Sequence, residues 1–402
     1  MSSTNLPMRR FVAPLLAVAV VLLGACAAPG GSDSGSDTDK GDASSLDQAA
    51  YDKEDADRTA TFEGDPAQPY LQYLPGGEMV DPKPYARTTP GKVCFSNASL
   101  SNVWRQTGWI TMYEQYKVLK DQGVISDLVM RDAQDDENTQ VSDIDFLIKE
   151  GDCDAFIIAP ATVEATASAI GRACETGKPV VVFDRGTTET CITSFVHSIG
   201  GYAWGIDSAS FLADQLEEGD TVVALRTAPG VDVFEQRWAA ATKIFKDAGL
   251  KVTDHITGAD PAEIKSVMAD ELTSGEVDGV WVDLGDQAVP AIEAFQDAGM
   301  DIPAITGEDN MAYLRAWDEL GFNGFAPVYS NFQWRTALLA VAMLFQGEEI
   351  PKDWTVPQTP ITSDELPEVI KANAEMPDVH SARCGCEDMP SFPGPWVSRK
   401  TP

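Results

Sequence analysis

The sequence predicts an α/β protein of two doubly wound parallel-sheet lobes, and three observations predict it. From Lys92 onward, short apolar runs that read as buried strands alternate with amphipathic helical stretches, as in parallel sheets covered by helices on both faces. The alternation comes as two series of similar length and order, 92–197 and 221–346. The globular stretch is roughly 280 to 310 residues long, more than one hydrophobic core usually serves.

The chain opens with a targeting segment, residues 1–25. Arg9 and Arg10 supply its charge, and the apolar run Phe11 to Leu23 is too short to span a bilayer comfortably. It closes on LGAC, residues 23–26, which resembles a bacterial lipobox; the resemblance implies cleavage before Cys26 and lipidation of its thiol. An ordinary signal peptide cleaved at small residues is the weaker alternative. The mature protein is then expected outside the cytoplasm, held to the membrane by a lipid anchor only. Residues 27 to about 58 are rich in Gly, Ser, Asp and Ala and read as a flexible tether. Residues 59–91 carry Tyr70, Tyr73, Pro75 and Tyr85 without periodicity, and read either as an arm on the folded body or as more linker.

In the first series, strands are expected at 92–97, 126–131, 155–160, 179–183 and 192–197, with helices at 103–122, 138–150 and 163–175. In the second, strands fall at 221–227, 250–256, 279–284, 302–306 and 324–329, with helices at 232–248, 261–274, 287–298, 310–320 and 332–346. The run Pro179 to Phe183 ends abruptly in Asp184 and Arg185. Ligands of open α/β sheets sit beyond the carboxyl ends of the strands, so these charges stand where a ligand would be. A planar fork of donors beside paired acceptors suits a polyhydroxylated molecule. A surface ion pair or a helix cap is as good a reading of those two residues alone.

The formal charge of −34, from 63 acidic and 29 basic residues, argues against nucleic acid or anionic lipid as partners. With Cys26 assigned to the lipid, Cys94, Cys153, Cys174, Cys191, Cys384 and Cys386 remain, and six thiols allow 15 pairings. Cys153, Cys174 and Cys191 all fall near the amino-terminal edge of one sheet, so one bridge among them is expected. Cys384 and Cys386 with His380 could form a metal site, but no fourth ligand is evident and a disulfide is preferred, so no metal and no cofactor is expected.

Six motifs in register carry a family resemblance: SNASLSNVWRQTGW, DAQDDENTQVSDIDFLIKEGDCDAFIIAP, KPVVVFDRG, EQRWAAATKIF, VDGVWVDLGDQAVPAIEAFQDAGM and ITGEDN. Together, over Lys92 to about Pro367, they resemble the type I periplasmic binding proteins, specifically the ribose-binding-like sugar binders of ABC importers. The resemblance implies a three-crossover hinge near 199–201, 329–331 and 356–362, with a ligand cleft between the lobes. It assigns 92–199 with 331–356 to the first lobe and 200–330 with 357–367 to the second, leaving 368–402 as a C-terminal tail without a role. It further implies that Trp104 beside Asn102 stacks on a sugar ring, that Asp184 and Arg185 bind hydroxyls, and that Arg237, Asp286 and Asp309 serve the second lobe. Arg105 stands in place of a second aromatic, and Ser330 where a Gln is common. For Trp104 the alternative is helix packing, for Arg237 a solvated charge, and for Asp286 a helix cap.

Other departures are Gly201-Tyr202 at the first crossover, Gly285, and Pro261 in place of an aromatic for which Trp204 or Trp238 can substitute. They point to a sugar, polyol or sugar derivative other than ribose. Trp109, Tyr113 and Tyr116 are spaced for packing. No GxSxG, HExxH, Walker A or GxGxxG stands at a strand–helix junction, so no enzyme is expected. The expected protein is a monomer that binds a small carbohydrate and presents it to an ABC permease and its ATPase. The alternative is a sensor presenting the bound form to a receptor kinase or chemoreceptor.

Overall fold

The computed structural model describes residues 46–227 and 229–400. The expected targeting segment, the expected lipidation site Cys26 and the first part of the expected tether lie outside the described residues. The end of that tether is not flexible but helical: α1 (Gln48–Asp57) is capped by Asp47, whose carboxylate accepts the Ala49 and Ala50 N–H groups at 3.0 and 3.1 Å. Its composition hides a four-residue period that sets Leu46, Ala50, Glu54 and Arg58 on one side. Leu46, Ala50 and Tyr51 pack against Tyr202 and Ile206. Arg58 pairs with Asp207 at 2.9 Å. Glu54 accepts the Ala203 N–H at 2.9 Å, and burial pushes its carboxyl up to about 7. After α1 a 3-10 turn, Pro69–Leu71, buries Tyr70, and β1 (Met79–Val80) follows, so residues 59–91 form an arm on the body.

The first lobe runs β2 (Gly91–Asn97), α2 (Val103–Asp121), β3 (Ile125–Asp132), α3 (Glu137–Glu150), β4 (Ala155–Ala159), α4 (Ala167–Cys174), β5 (Val180–Phe183) and β6 (Ser194–Ser198). Its core strands are β-branched and buried on both faces, as a doubly covered parallel sheet requires. Cys94 is bridged to Cys153, and Cys174 to Cys191, so one bridge does fall within the expected trio.

The second lobe opens with α5 (Gly201–Gln215), which pattern reading passes over. This helix starts on glycines without a capping side chain, and residues on most of its circumference are buried, so neither a cap nor an amphipathic stripe announces it. Then come β7 (Thr221–Arg226), α6 (Asp232–Asp247), β8 (Lys251–Ile256), α7 (Pro261–Ser274), β9 (Gly279–Val282), α8 (Ala288–Ala298), β10 (Ala304–Thr306), α9 (Met311–Leu320) and β11 (Gly324–Phe325). The last strand stops short of its expected end because the chain turns back toward the first lobe. There α10 (Gln333–Gln346), β12 (Ile350–Pro351) and β13 (Asp353–Val356) complete the body, and α11 (Leu366–Ala372) and α12 (Gly394–Ser398) form the tail.

The six-stranded sheet has the order β13-β6-β5-β4-β2-β3 and the five-stranded sheet β11-β10-β9-β7-β8, with every pairing parallel. The chain crosses between them after β6, β11 and β13. These crossings are tied together: the Ser330 N–H donates to Ser198 Oγ at 3.0 Å, the Ser330 hydroxyl donates to the Pro357 carbonyl, and Gln358 and Gly200 exchange bonds of 3.0 and 3.1 Å. Gly200 has φ 152°, and a Cβ there would lie 2.2 Å from the Glu54 carboxyl, so glycine is required at the first crossing.

The arm and tail meet on Arg335, a buried residue of α10. Its guanidinium bonds to Asp388 (2.6 Å), the Gly385 carbonyl (2.7 Å) and Gln115 (2.8 Å), and lies 3.5 Å from the centre of the Tyr70 ring. Tyr70 in turn donates to Asp388. Farther along, buried Trp396 donates to Thr111 at 3.1 Å. Arg335→Ala is expected to cost about 3 kcal/mol in chemical denaturation, the low end for a pair broken from one side because Asp388 keeps access to water. Limited proteolysis should then cleave both the arm and the tail faster than in the unsubstituted protein.

Candidate ligand-binding cleft

Because all strands of each sheet run parallel and the crossovers follow their carboxyl ends, those ends converge on the hinge. On the first lobe, Asn97 ends β2 and Asp132 ends β3 beside it, with a 2.8 Å bond from the Asn97 amide. Burial pushes the Asp132 carboxyl up, against the pull of Asn97. Arg105, in the first turn of α2, donates to Asp184 at 2.8 Å, and both side chains are nearly buried. Asp184 follows β5 at φ 68°, a left-handed conformation that costs a non-glycine residue energy and is concentrated at functional sites.

On the second lobe, Arg237 is 3% exposed, so it is not a solvated helix charge. It donates to the Asp283 carbonyl at 2.6 Å and to Glu308 at 3.3 Å, and lies 4.2 Å over the Trp204 ring. Glu308 also accepts from Trp204 Nε1 and the Gly285 N–H, each at 3.2 Å. Tyr329, on the second crossover, stands between the two groups. Its ring lies 5.5 Å from the Arg237 guanidinium, its hydroxyl 3.5 Å from Asp184, and its carbonyl accepts from Trp104 Nε1 at 2.9 Å.

Several polar atoms here are buried without a partner: Ser96 Oγ, Asn97 Oδ1, Arg105 Nη1, Arg237 Nε and Asn331 Oδ1. Each such group costs about 1–3 kcal/mol unless something satisfies it. Guanidinium forks, carboxylates and aromatic faces set together are the donor, acceptor and stacking groups that a polyhydroxylated ring needs.

The expected residues divide. Trp104, Arg105, Asp184 and Arg237 fall in these two groups. Asn102 instead caps α2, accepting the Arg105 N–H at 2.9 Å. Arg185 turns back to donate to the Ala161 carbonyl. Asp286 sits in the 3-10 turn Gly285–Gln287, not at the cap of α8, which is Gln287; loss of solvent and then the nearby Glu308 push its carboxyl up. Asp309 faces away: its carboxylate accepts the Arg383 N–H of the tail at 2.9 Å, and burial pushes it up to about 7. Ser330 has both polar groups engaged within the hinge. Of the two substitute tryptophans, Trp204 joins the second-lobe group, whereas Trp238 packs on Arg226 and Trp281. Sequence reasoning missed Glu308, Tyr329, Asn97 and Asp132. Adjacent carboxylates at 308 and 309 were the signal for Glu308, but which one turns inward is decided by the tail.

A periplasmic binding protein domain model matches residues 93–349. The chain belongs to the periplasmic binding protein family. Membership places it outside the cytoplasm, and among the described residues no helix is long and apolar enough to cross a membrane. The ribose import binding protein of Bacillus subtilis is 26% identical over 231 residues, covering 57% of this chain and 75% of that protein. An ABC transporter solute-binding protein of Thermobispora bispora superposes with TM-score 0.61 at 26% identity, covering 69% of this chain and 87% of that one. One from Bacillus halodurans with bound myo-inositol superposes with TM-score 0.60 at 20% identity, covering 70% and 97%, which shows a shared fold. The matched stretch takes in both lobes and leaves out the arm and the tail.

Burial also sets a pH dependence. Glu54 and Asp309 are raised to about 7, and Asp207 and Asp283 to about 6, from unfolded values of 4.5 for Glu and 3.8 for Asp. A carboxyl raised in the folded state stabilises below its unfolded value, and that contribution is lost as pH rises through the folded one. His380 opposes this below 6.5, since burial lowers it to about 3, but it is one group against four. The melting temperature is therefore expected to be higher near pH 5 than near pH 8. Asp309→Asn, which keeps an acceptor for the Arg383 N–H, should flatten the slope in differential scanning calorimetry.

Proposed function

We propose that the protein is the solute-binding component of an ABC importer, capturing a sugar or polyol between its lobes and delivering it to a permease and its ATPase. The observation that carries this is the pairing of Arg105 with Asp184 on one lobe against Arg237 with Glu308 on the other, bridged by Tyr329. A ligand touching both groups is held fully only when the lobes are together, so binding favours the closed arrangement. The ligand chemistry named for the relatives, ribose and myo-inositol, is of the same polyhydroxylated class. Anchoring through a lipid on Cys26 would keep the binding protein beside its permease.

Calorimetric titration against pentoses, hexoses, inositols and linear polyols is expected to find a micromolar ligand, corresponding to about −8 kcal/mol. Arg237→Lys keeps the charge but loses the fork, and should weaken binding about 10–100-fold, or 1.4–2.8 kcal/mol. Asp184→Ala should do at least as much. Binding of an amino acid instead, unaffected by either change, would remove the sugar assignment. Cells fed a labelled fatty acid should label the unsubstituted protein and not Cys26→Ser.

A further inference from the structure

The tail holds a cluster that the binding function does not use. His380, Cys384 and Cys386 are buried, and their donor atoms all lie within 4.8 Å of one another. His380 is fixed by its backbone, whose carbonyl accepts the Met311 N–H at 2.9 Å. Its ring has no such anchor: both nitrogens are buried and neither has a hydrogen-bond partner. A histidine in that position is a poor packing choice, because an apolar residue would fill the space without the cost of two unmet polar atoms.

The bond between Cys384 and Cys386 is equally unusual as a staple. It spans a sequence separation of 2, against 59 for Cys94 and Cys153. On the chain-entropy account so short a loop constrains the unfolded chain far less than the long one does. The turn does not depend on the bond. Gly385 has φ +57°, and a Cβ there would stand 2.8 Å from Phe332 Cβ, while its carbonyl is held by Arg335 at 2.7 Å. The two sulfurs therefore stay side by side when the bond between them opens. Glu387 Oε1 lies 3.8 Å from Cys384 Sγ but outside the trio whose donor atoms are all within 4.8 Å of one another, so its side chain has to turn toward the ion to become a fourth donor.

We propose that His380, Cys384 and Cys386, with the cysteine pair reduced, form a binding site for a borderline-soft divalent cation of the zinc class, completed by the Glu387 carboxylate. One imidazole nitrogen, two thiolates and one carboxylate oxygen are the donor set such an ion takes in four-coordinate sites. The opening step requires a dithiol. Its two thiols give two electrons and two protons to the sulfur–sulfur bond, leaving two protein thiols and a disulfide on the reductant. The cation then displaces both thiol protons and binds the thiolates. Exchange with an external disulfide takes two electrons from the thiolate pair, re-forms the Cys384–Cys386 bond, leaves two thiolates on the oxidant and releases the cation, so cation binding is tied to redox state.

The purified full-length protein would be reduced anaerobically with dithiothreitol, desalted, and titrated with Co2+ as a coloured stand-in, then with Zn2+. The Cys174→Ser/Cys191→Ser background removes the bridge that contains exposed Cys191. The expected result is a thiolate-to-Co2+ charge-transfer band saturating at one ion per chain, displaced by Zn2+ and absent from the oxidised protein. His380→Ala and His380→Gln should weaken Co2+ binding at least tenfold, and Cys384→Ser/Cys386→Ser should abolish the band even where a histidine variant folds poorly. No band after reduction, an equal response in the oxidised protein, or unchanged binding in both folded histidine variants would overturn the proposal.

Discussion

Three side-by-side passages of the chain between two parallel sheets are the constraint from which the rest of the structure follows. Once Ser198, Ser330 and Pro357 are hydrogen-bonded across those passages, and Gly200 to Gln358, the carboxyl ends of both sheets must face the same junction. Within these two sheets every strand is parallel to its neighbours, so each brings the residues at its carboxyl end to that place. Asp184, Asn97 and Asp132 arrive in this way from one sheet, Asp283 and Glu308 from the other. Tyr329 arrives on a crossover itself, which is why it touches both groups.

The arm and tail add a second set of constraints outside the stretch matched by the family. The helix α1 lies on the second lobe, where Tyr51 meets Tyr202, and the arm that follows it continues on the first, where Tyr70 meets Arg335. The tail goes the same way, from Ser381 beside Asn310 to Trp396 against α2. Both segments thus span the two lobes and converge on Arg335 and Asp388, so hinge motion has to be accommodated by five chain connections where the crossovers alone would supply three. Glu54 reaches Gly200 from α1, coupling that helix directly to the first crossing.

Most of the body was legible because buried parallel strands announce themselves: VVVF, AFIIA and GVWV admit few other readings. The helices α1 and α5 were not. In α1 helicity comes from docking a few apolar residues in an acidic stretch, and in α5 an uncapped, nearly all-round apolar helix lacks the stripe that periodicity detects. Within the cleft, residue type was a better guide than direction. Asp184 was legible as a charge beyond a strand end, and Arg105 and Arg237 through the family resemblance. The orientations of Glu308 and Asp309 were not, because they depend on the tail supplying the Arg383 N–H on one side and on Arg237 drawing a carboxylate to the other. Ser330 and Asn102 carry the right chemistry for a ligand but are engaged by the hinge and by the start of α2.

The most direct measurement is a crystal structure of the protein with the tightest-binding polyol. The account predicts the ring between Arg105 and Arg237, with hydroxyls within hydrogen-bond distance of both guanidinium groups and of Asp184. A ligand bound on the outside of either lobe, or one in the cleft that leaves both arginines without a ligand contact, would contradict it.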